Sequence, residues 1–413
     1  MPGFILNDGA VVPPSVYSAM NTVLNKKLGT SQVYPPRDWA AIVKDLVPLP
    51  LKSVSGSIAH FEDGADTVPL KSLTYRFTPS QAGAGDPSPS NPRPITGVSS
   101  VNVTSAGKNL VDSDDYYESY KQADGSYISK GSEANAIVIP ISPALIGKQV
   151  TFSASLRKPE GSTIGAIRVI CYVNGVQTNG NNVTGSTYAT SSITFTPVTT
   201  NDYVKISYGS SGGQNMQYKD VQLELGSTAT TYEPYQATLI PVSLGQTVYG
   251  GEGNEAGEFS STYKLADLST MDWDSNAPNQ DGYIRFVSHS AFEDKKNGYN
   301  LFCDKFPVKN SLVPSSPTAI GISGYTSNAN IYIAVESSML TGDLSTNAGR
   351  NTAFRNWISD NGLQILYELA TPDTLSVDPV AISSRLGVNN IYLDLAGSEI
   401  ECEYYADPTL STQ

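Results

Sequence analysis

Between residues 109 and 237 apolar and polar positions alternate in one short run after another: NAIVIPI, QVTFSASL, AIRVICYV, SSITFTPV, DYVKISYG and KDVQLEL. A period of two turns successive side chains to opposite faces, so each run predicts a half-buried strand. The separators GK, PEG, NG, NGNN and SSGG supply residues that tolerate positive φ. Antiparallel strands in this number, without helical periodicity, predict a two-sheet β-sandwich or jelly roll. Val221, Leu223 and Leu225 alternate as the inward positions of its last strand, with Gln222 and Glu224 turned the other way. Gly226 breaks that strand, and Pro234 keeps Glu233 extended in the exit STATTYEPY. Tyr232 and Tyr235 are expected to pin this exit to a neighbouring part of the chain.

The first fifty residues follow a different period. Val16, Met20, Val23 and Leu24 recur at spacings near three and four, as on an amphipathic helix that Gly29 can end. Pro36 then suits a helix start, with Trp39, Ile42, Val43 and Leu46 as a second apolar stripe. Two such helices cannot bury both stripes alone, so residues 1–50 read as an anchoring or oligomerisation segment.

Residues 51–108 return to period two in SGSIAHF and LTYRFTP, and the proline-rich GAGDPSPSNPRPITG predicts an extended, stiff connection. From residue 238 to 413 the pattern stays β, in TLIPVSLGQTVYGG, YIRFVSHS, ANIYIAV and VNNIYLDLAGSEIECEYY. One helix interrupts it, NAGRNTAFRNWISDNG, with Phe354, Trp357 and Ile358 on one face and Gly362 to stop it. The chain is therefore expected to be mainly β, with a short N-terminal helical segment and one helix in the C-terminal part.

Charge narrows the partners. A formal net charge of -13 over 413 residues repels phosphate backbones and anionic lipid, so neither nucleic acid nor membrane insertion is expected. No apolar run is long enough to span a bilayer, and MPGFILNDGA lacks the basic start of a secretion signal. Cys171, Cys303 and Cys402 are too scattered for a disulfide framework or zinc site, which suits folding in a reducing cytoplasm.

Candidate chemistry is sparse. His60 and His289 are the only imidazoles, and no nucleophile elbow, metalloprotease helix or phosphate loop accompanies them. A non-enzyme is expected. Asp112, Asp114, Asp115 and Glu118 form the densest acidic group, readable as a solvated loop or as calcium ligands. Tyrosine outnumbers phenylalanine 24 to 11, favouring rings that stack on apolar faces while keeping a hydroxyl in water. Tyr116, Tyr117, Tyr120 and Tyr127, at the mouth of the sandwich, are the first candidates for a carbohydrate-binding surface.

Several segments, in order, carry a resemblance: SGSIAHFEDGADTVPLKSL, GAGDPSPSNPRPITG followed by GKNL, VQLELGSTATTYEPY, TVYGG, LQILYELATP and GVNNIYLDLAGSEIECEYY. Together they resemble the successive blocks of tail, baseplate or fibre proteins of tailed bacteriophages and prophages of Firmicutes, over about residues 51–407. LNKKLGTSQVYPPRDWAAIVKDLVPLP resembles an N-terminal attachment element of such proteins. GKNL to YEPY is similar to a carbohydrate-binding jelly roll inserted into them. The resemblance implies a virion protein made in the bacterial cytoplasm, homotrimeric, joined to other virion proteins through residues 1–50, and directed at host cell-surface polysaccharide. It implies a structural calcium held by Asp220 with Asn109 or Asp112, and no other cofactor. It also implies a β-platform in two parts, 51–108 and 238–413, interrupted by a sandwich at 109–237, so that VNVTSA and ATLIPVSLGQTVYGG are neighbours. The alternatives are an architectural head-fibre or collar protein without a ligand, and a carboxylate-dependent glycan-degrading tail enzyme.

Overall fold

The structure, a computed structural model, describes residues 4–5, 11–12, 22, 51–63, 70–163, 165–208, 214–268, 271–288, 292 and 294–405. Contacts divide the chain into two units, Met1–Leu51 with Tyr405–Gln413, and Lys52–Tyr404. In the first, strands Phe4–Ile5 and Val11–Val12 pair antiparallel. The two predicted helical stripes, Val16, Met20, Val23 and Leu24 and then Trp39, Ile42, Val43 and Leu46, lie outside the described residues.

The second unit is mainly β. Its sandwich has two four-stranded sheets. One runs in the order Ile139–Pro140, Tyr203–Tyr208, Ile167–Val173, Val176–Asn179; the other runs Ala189–Phe195, Val150–Arg157, Asn215–Leu225, Tyr127–Lys130. Alternate side chains of both sheets, among them Phe152, Leu156, Val169, Val204 and Ile206, meet in one buried core. The NAIVIPI run is less regular than its alternation suggests. Residues Gly131–Ala136 are helical and only Ile139–Pro140 is strand. A second short helix, Ser113–Tyr117, also lacks a sequence signal, because neither is long enough to show a helical period.

The last sandwich strand changes phase partway. Met216 and Tyr218 point inward, and after them Val221 and Leu223 do. The switch is a β-bulge: Lys219 pairs with Ser155 and Gln222 with Ser153, leaving two residues opposite Ala154. Asp220 adopts φ 52 there, a left-handed conformation that aspartate tolerates better than most residues.

Below the sandwich lies a four-stranded sheet ordered Ala237–Val248, Val98–Ala106, Gly387–Leu393, Ile58–Asp63. Ala106 pairs with Ala237, and the Gly107 amide donates to the Gln236 carbonyl at 2.9 Å. The chain therefore leaves this sheet for the sandwich and returns to it on adjacent strands. Ile58, Ala106 and Tyr392 of the sheet share the sandwich core, so the two are packed as one. Phe61 stacks on Tyr404 at 4.0 Å, joining this sheet to a seven-stranded one. In the latter, Gly253 lies against Tyr75, where an added Cβ would come within 2.3 Å of the ring, so only glycine fits.

A further core lies beyond residue 265. The helix Asn347–Asn361 is capped by the Thr346 hydroxyl, which accepts from the Gly349 amide at 3.0 Å, and ends at Gly362 with φ 66. Phe354 stacks on Phe286 at 4.2 Å, and Trp357 on Phe306 at 5.5 Å. The proline-rich stretch is not the extended connection that its composition suggests. Ser80–Gln81 pairs with Ile95–Thr96 as a hairpin. Arg93 closes it by donating to the carbonyls of Ala82, Gly83 and Gly85.

Candidate ligand-binding sites

The four candidate tyrosines separate once the chain folds. Asp112 caps the 113–117 helix, its Oδ1 accepting from the Asp114 amide at 3.0 Å, and the turn sends neighbouring side chains in different directions. Tyr117 is fully buried and Tyr127 is 4% exposed, each packed on Tyr218 with ring centroids 5.0 and 5.4 Å away. The Tyr127 hydroxyl donates to Asp114 at 2.6 Å and lies 2.8 Å from the Ser113 hydroxyl. Burial pushes the Tyr218 phenol up to about 12. Tyr117 and Tyr127 are thus core residues, a correction to their reading as ligand contacts, because their faces are spent on other rings. Tyr120 is half-buried against the same core. Tyr116 lines a cavity.

The predicted calcium ligands have other work. Asn109 is 1% exposed; its amide donates to the Val221 carbonyl at 3.0 Å, and its Oδ1 accepts from Leu223 at 3.1 Å and Val111 at 3.2 Å. Both lone pairs of that oxygen are occupied by backbone amides. Asp112 caps a helix, and Asp220 stands in the bulge with Lys219 3.5 Å away. Among the described residues no group of three or more His, Cys, Asp or Glu could hold a metal. Asn109 is thus spent on a hydrogen-bond clamp that joins the entry segment to the last strand.

The exit after the last strand is held by a second clamp. Gln222 and Glu224, expected to face solvent, are 1% and 2% exposed because STATTYEPY folds over them. Glu224 accepts from the Thr230 amide at 2.8 Å, the Thr230 hydroxyl at 2.6 Å and the Gln222 amide at 2.8 Å. Gln222 accepts from the Glu233 amide at 2.8 Å. Lys108 reaches the exit through Glu233 at 2.8 Å. Tyr232 is 37% exposed, whereas Tyr235 turns into the seam between sandwich and sheet.

That seam contains a cavity of about 430 Å³. Ile58, Val111, Leu145 and Leu223 are among its apolar walls, and Asp112, Asp115 and Asp394 are its carboxylates. The Ser142 hydroxyl crosses the seam to Asp394 at 2.7 Å. Tyr116, Tyr235 and Tyr392 complete the lining. Burial raises all three phenols. Asp115 and Asp394 add to the effect at Tyr116, Asp112 and Asp115 at Tyr235, and Tyr235 and Asp394 at Tyr392. All three hydroxyls therefore stay protonated near neutral pH.

A second surface escaped sequence reading. Tyr172 and Tyr203 are direct cross-strand partners on the outer face of the sandwich, stacked at 4.6 Å and 21°. Lys205 lies 5.4 and 6.0 Å from their ring centres. Tyr172 donates to Gln177 Oε1 on the next strand, and Gln177 donates to Asn179 at 2.8 Å. Alternation in AIRVICYV and DYVKISYG turns both tyrosines outward, but only strand pairing brings them together. The result is a half-exposed aromatic rung edged by amides, suited to stacking on a ring face that carries hydroxyls.

No protein-family model and no curated protein matches the chain. Among solved structures, the tandem CBM22 domain of Paenibacillus barcinonensis Xyn10C is 8% identical, with 82% of this chain and 93% of that one covered and a TM-score of 0.22. A structure of infectious bursal disease virus is 6% identical over 88% and 83%, at a TM-score of 0.14. The Faustovirus major capsid protein is 9% identical over 94% and 97%, at 0.09. At these scores the likeness does not amount to a shared arrangement of the whole chain, and function is read from this chain's own residues.

Proposed function

We propose that this chain is a structural and adhesive component of a tailed phage particle, of tail, baseplate or fibre type. It contributes to host cell-surface recognition through weak contacts to polysaccharide, repeated over several copies so that effective concentration supplies the avidity. The ordered sequence blocks support the virion assignment. The observation that carries the adhesive half is the Tyr172–Tyr203 rung, two half-exposed rings stacked on one another with the Gln177 and Asn179 amides beside them. In this reading the chain works without catalysis, residues 1–50 join it to copies of itself as a homotrimer and to other virion proteins, and a platform of 51–108 with 238–413 carries the sandwich.

The test is sedimentation of the purified chain with host cell-wall polysaccharide, beside the double variant Tyr172→Ala/Tyr203→Ala. Loss of two stacking rings should weaken binding about tenfold or more, with an unchanged melting temperature. A double variant that binds like wild type overturns the assignment to the rung. A wild type that binds no cell-wall fraction leaves the architectural head-fibre or collar role, and shortened polysaccharide would indicate a glycan-degrading enzyme.

A further inference from the structure

The proline-rich hairpin folds against one edge of the seven-stranded sheet and leaves a cleft beside it. The Gln81 side-chain amide donates to the Cys303 carbonyl at 2.9 Å and the Arg93 backbone amide to the Asp304 carbonyl at 2.7 Å, which fixes the hairpin to the edge strand Leu301–Cys303. Leu301 and Cys303 belong to the core, and alternation turns Phe302 the other way, where it is only half-buried. Tyr263, on the strand Glu258–Leu265, packs edge-on against Phe302 with ring centroids 5.9 Å apart. Tyr299 adds another half-buried ring, and Val308 and Pro87 line the sides of a space of about 390 Å³.

Two properties set this cleft apart. Phenylalanine has no polar tip to keep in water, so the half-bare Phe302 ring, gathered with Tyr263 and Tyr299 on a concave surface, leaves aromatic area open to a ligand. Beside the rings stand polar groups that the fold does not use. The Tyr299 hydroxyl, the Asp86 carboxylate and the Asn310 amide have no hydrogen-bond or ion-pair partner among the described residues. No Lys, Arg or His lines the cleft, so nothing there attracts an anion.

We propose that this cleft binds one ring of an uncharged sugar, a hexopyranose or an N-acetylhexosamine. A pyranose has a face of C–H groups and a rim of hydroxyls, each hydroxyl both donor and acceptor. The C–H face stacks on the aromatic rings, while the rim meets Asp86, which only accepts, and Asn310 and the Tyr299 hydroxyl, which do both. A proline-rich peptide also covers aromatic rings, but its backbone carries no N–H and leaves Asp86 without a donor. A volume of about 390 Å³ falls in the range of small-molecule sites and holds a single sugar ring. The cleft stands on a different sheet from the Tyr172–Tyr203 rung and does not depend on it, so each chain gains a second sugar contact.

The experiment is saturation-transfer NMR with calorimetric titration, on the full chain carrying Tyr172→Ala/Tyr203→Ala so that the rung contributes nothing. The probes are D-glucose, D-galactose and N-acetyl-D-glucosamine, beside sorbitol, which has the hydroxyls without the ring, and tetraproline. At least one pyranose should bind with a Kd of about 1–10 mM, about fivefold or more tighter than sorbitol or tetraproline. Asp86→Ala and Tyr299→Ala should each weaken that binding several-fold while the melting temperature holds. Phe302→Leu, which keeps an apolar side chain on the strand, should do the same. Because the rung is absent from this background, failure of the polysaccharide reading there and failure of the cleft are read separately. The proposal is overturned if no pyranose binds at about 20 mM, if sorbitol or tetraproline binds as tightly, or if folded Tyr299→Ala and Phe302→Leu variants keep the affinity.

Discussion

Replacing Asn109 with alanine removes one side chain that serves three backbone groups. The Val221 carbonyl, the Val111 amide and the Leu223 amide lose their partner together, at a position only 1% exposed. A buried polar group left unpaired costs about 1–3 kcal/mol. Partial rescue by water entering the vacated volume brings the expected total to about 3–5 kcal/mol, a large share of the roughly 5–15 kcal/mol that stabilises a domain. Urea unfolding followed by tyrosine near-ultraviolet dichroism reads this, because Tyr117, Tyr127 and Tyr218 form a stacked cluster inside the sandwich. Emission from Trp273 and Trp357, read in a Trp39→Phe background, reports the C-terminal core separately. The loss should be the same in calcium and in EDTA, since the Asn109 oxygen already accepts two amides. A loss below about 1 kcal/mol in both media would refute the clamp. A loss seen only with calcium would show the oxygen serving an ion. Asp112→Ala, which removes only a helix cap, should cost about 1 kcal/mol.

Glu224→Ala should free the exit, since it deprives Thr230 and Gln222 of their acceptor at a cost of about 2–4 kcal/mol. Amide exchange at Thr230 and Glu233 should then quicken and proteolysis concentrate at residues 226–236, whereas an unchanged digestion pattern counts against it. Asp202 carries a pH dependence. Burial raises its pKa, but the amides of Val198, Asn174 and Thr199 and the Thr199 hydroxyl outweigh this and lower it overall. A depressed folded-state pKa contributes stability above the unfolded value, about 3.9, that is lost as pH falls through the folded one. Asp202→Asn should flatten the decline in urea midpoint below about pH 4, and identical acid slopes would remove Asp202 from the account.

Much of the local structure was legible. The strands Val150–Arg157, Ile167–Val173 and Tyr203–Tyr208 follow their alternation closely, because a period of two records which face meets the core. The helix Asn347–Asn361 announced itself through Phe354, Trp357 and the terminal Gly362. The candidate site was less legible. Tyr116 and Tyr117 are adjacent, yet a single helical turn puts one in the seam cavity and the other in the core. Gln222 and Glu224 read as solvent-facing because alternation cannot register a later segment folding over a strand.

By itself the amino-acid sequence determined the mainly β class, the individual strands, the one long helix and the acidic balance, all properties of neighbouring residues and their periods. Tertiary structure alone decided pairings such as that of Gly387–Leu393 between Val98–Ala106 and Ile58–Asp63. It decided the bulge at Asp220, the Tyr172–Tyr203 rung and the seam cavity as well. The physical reason is common to them. Each depends on contacts between residues distant in the chain, whose cost in lost chain freedom is met only by packing of the whole unit, and no local period carries that information.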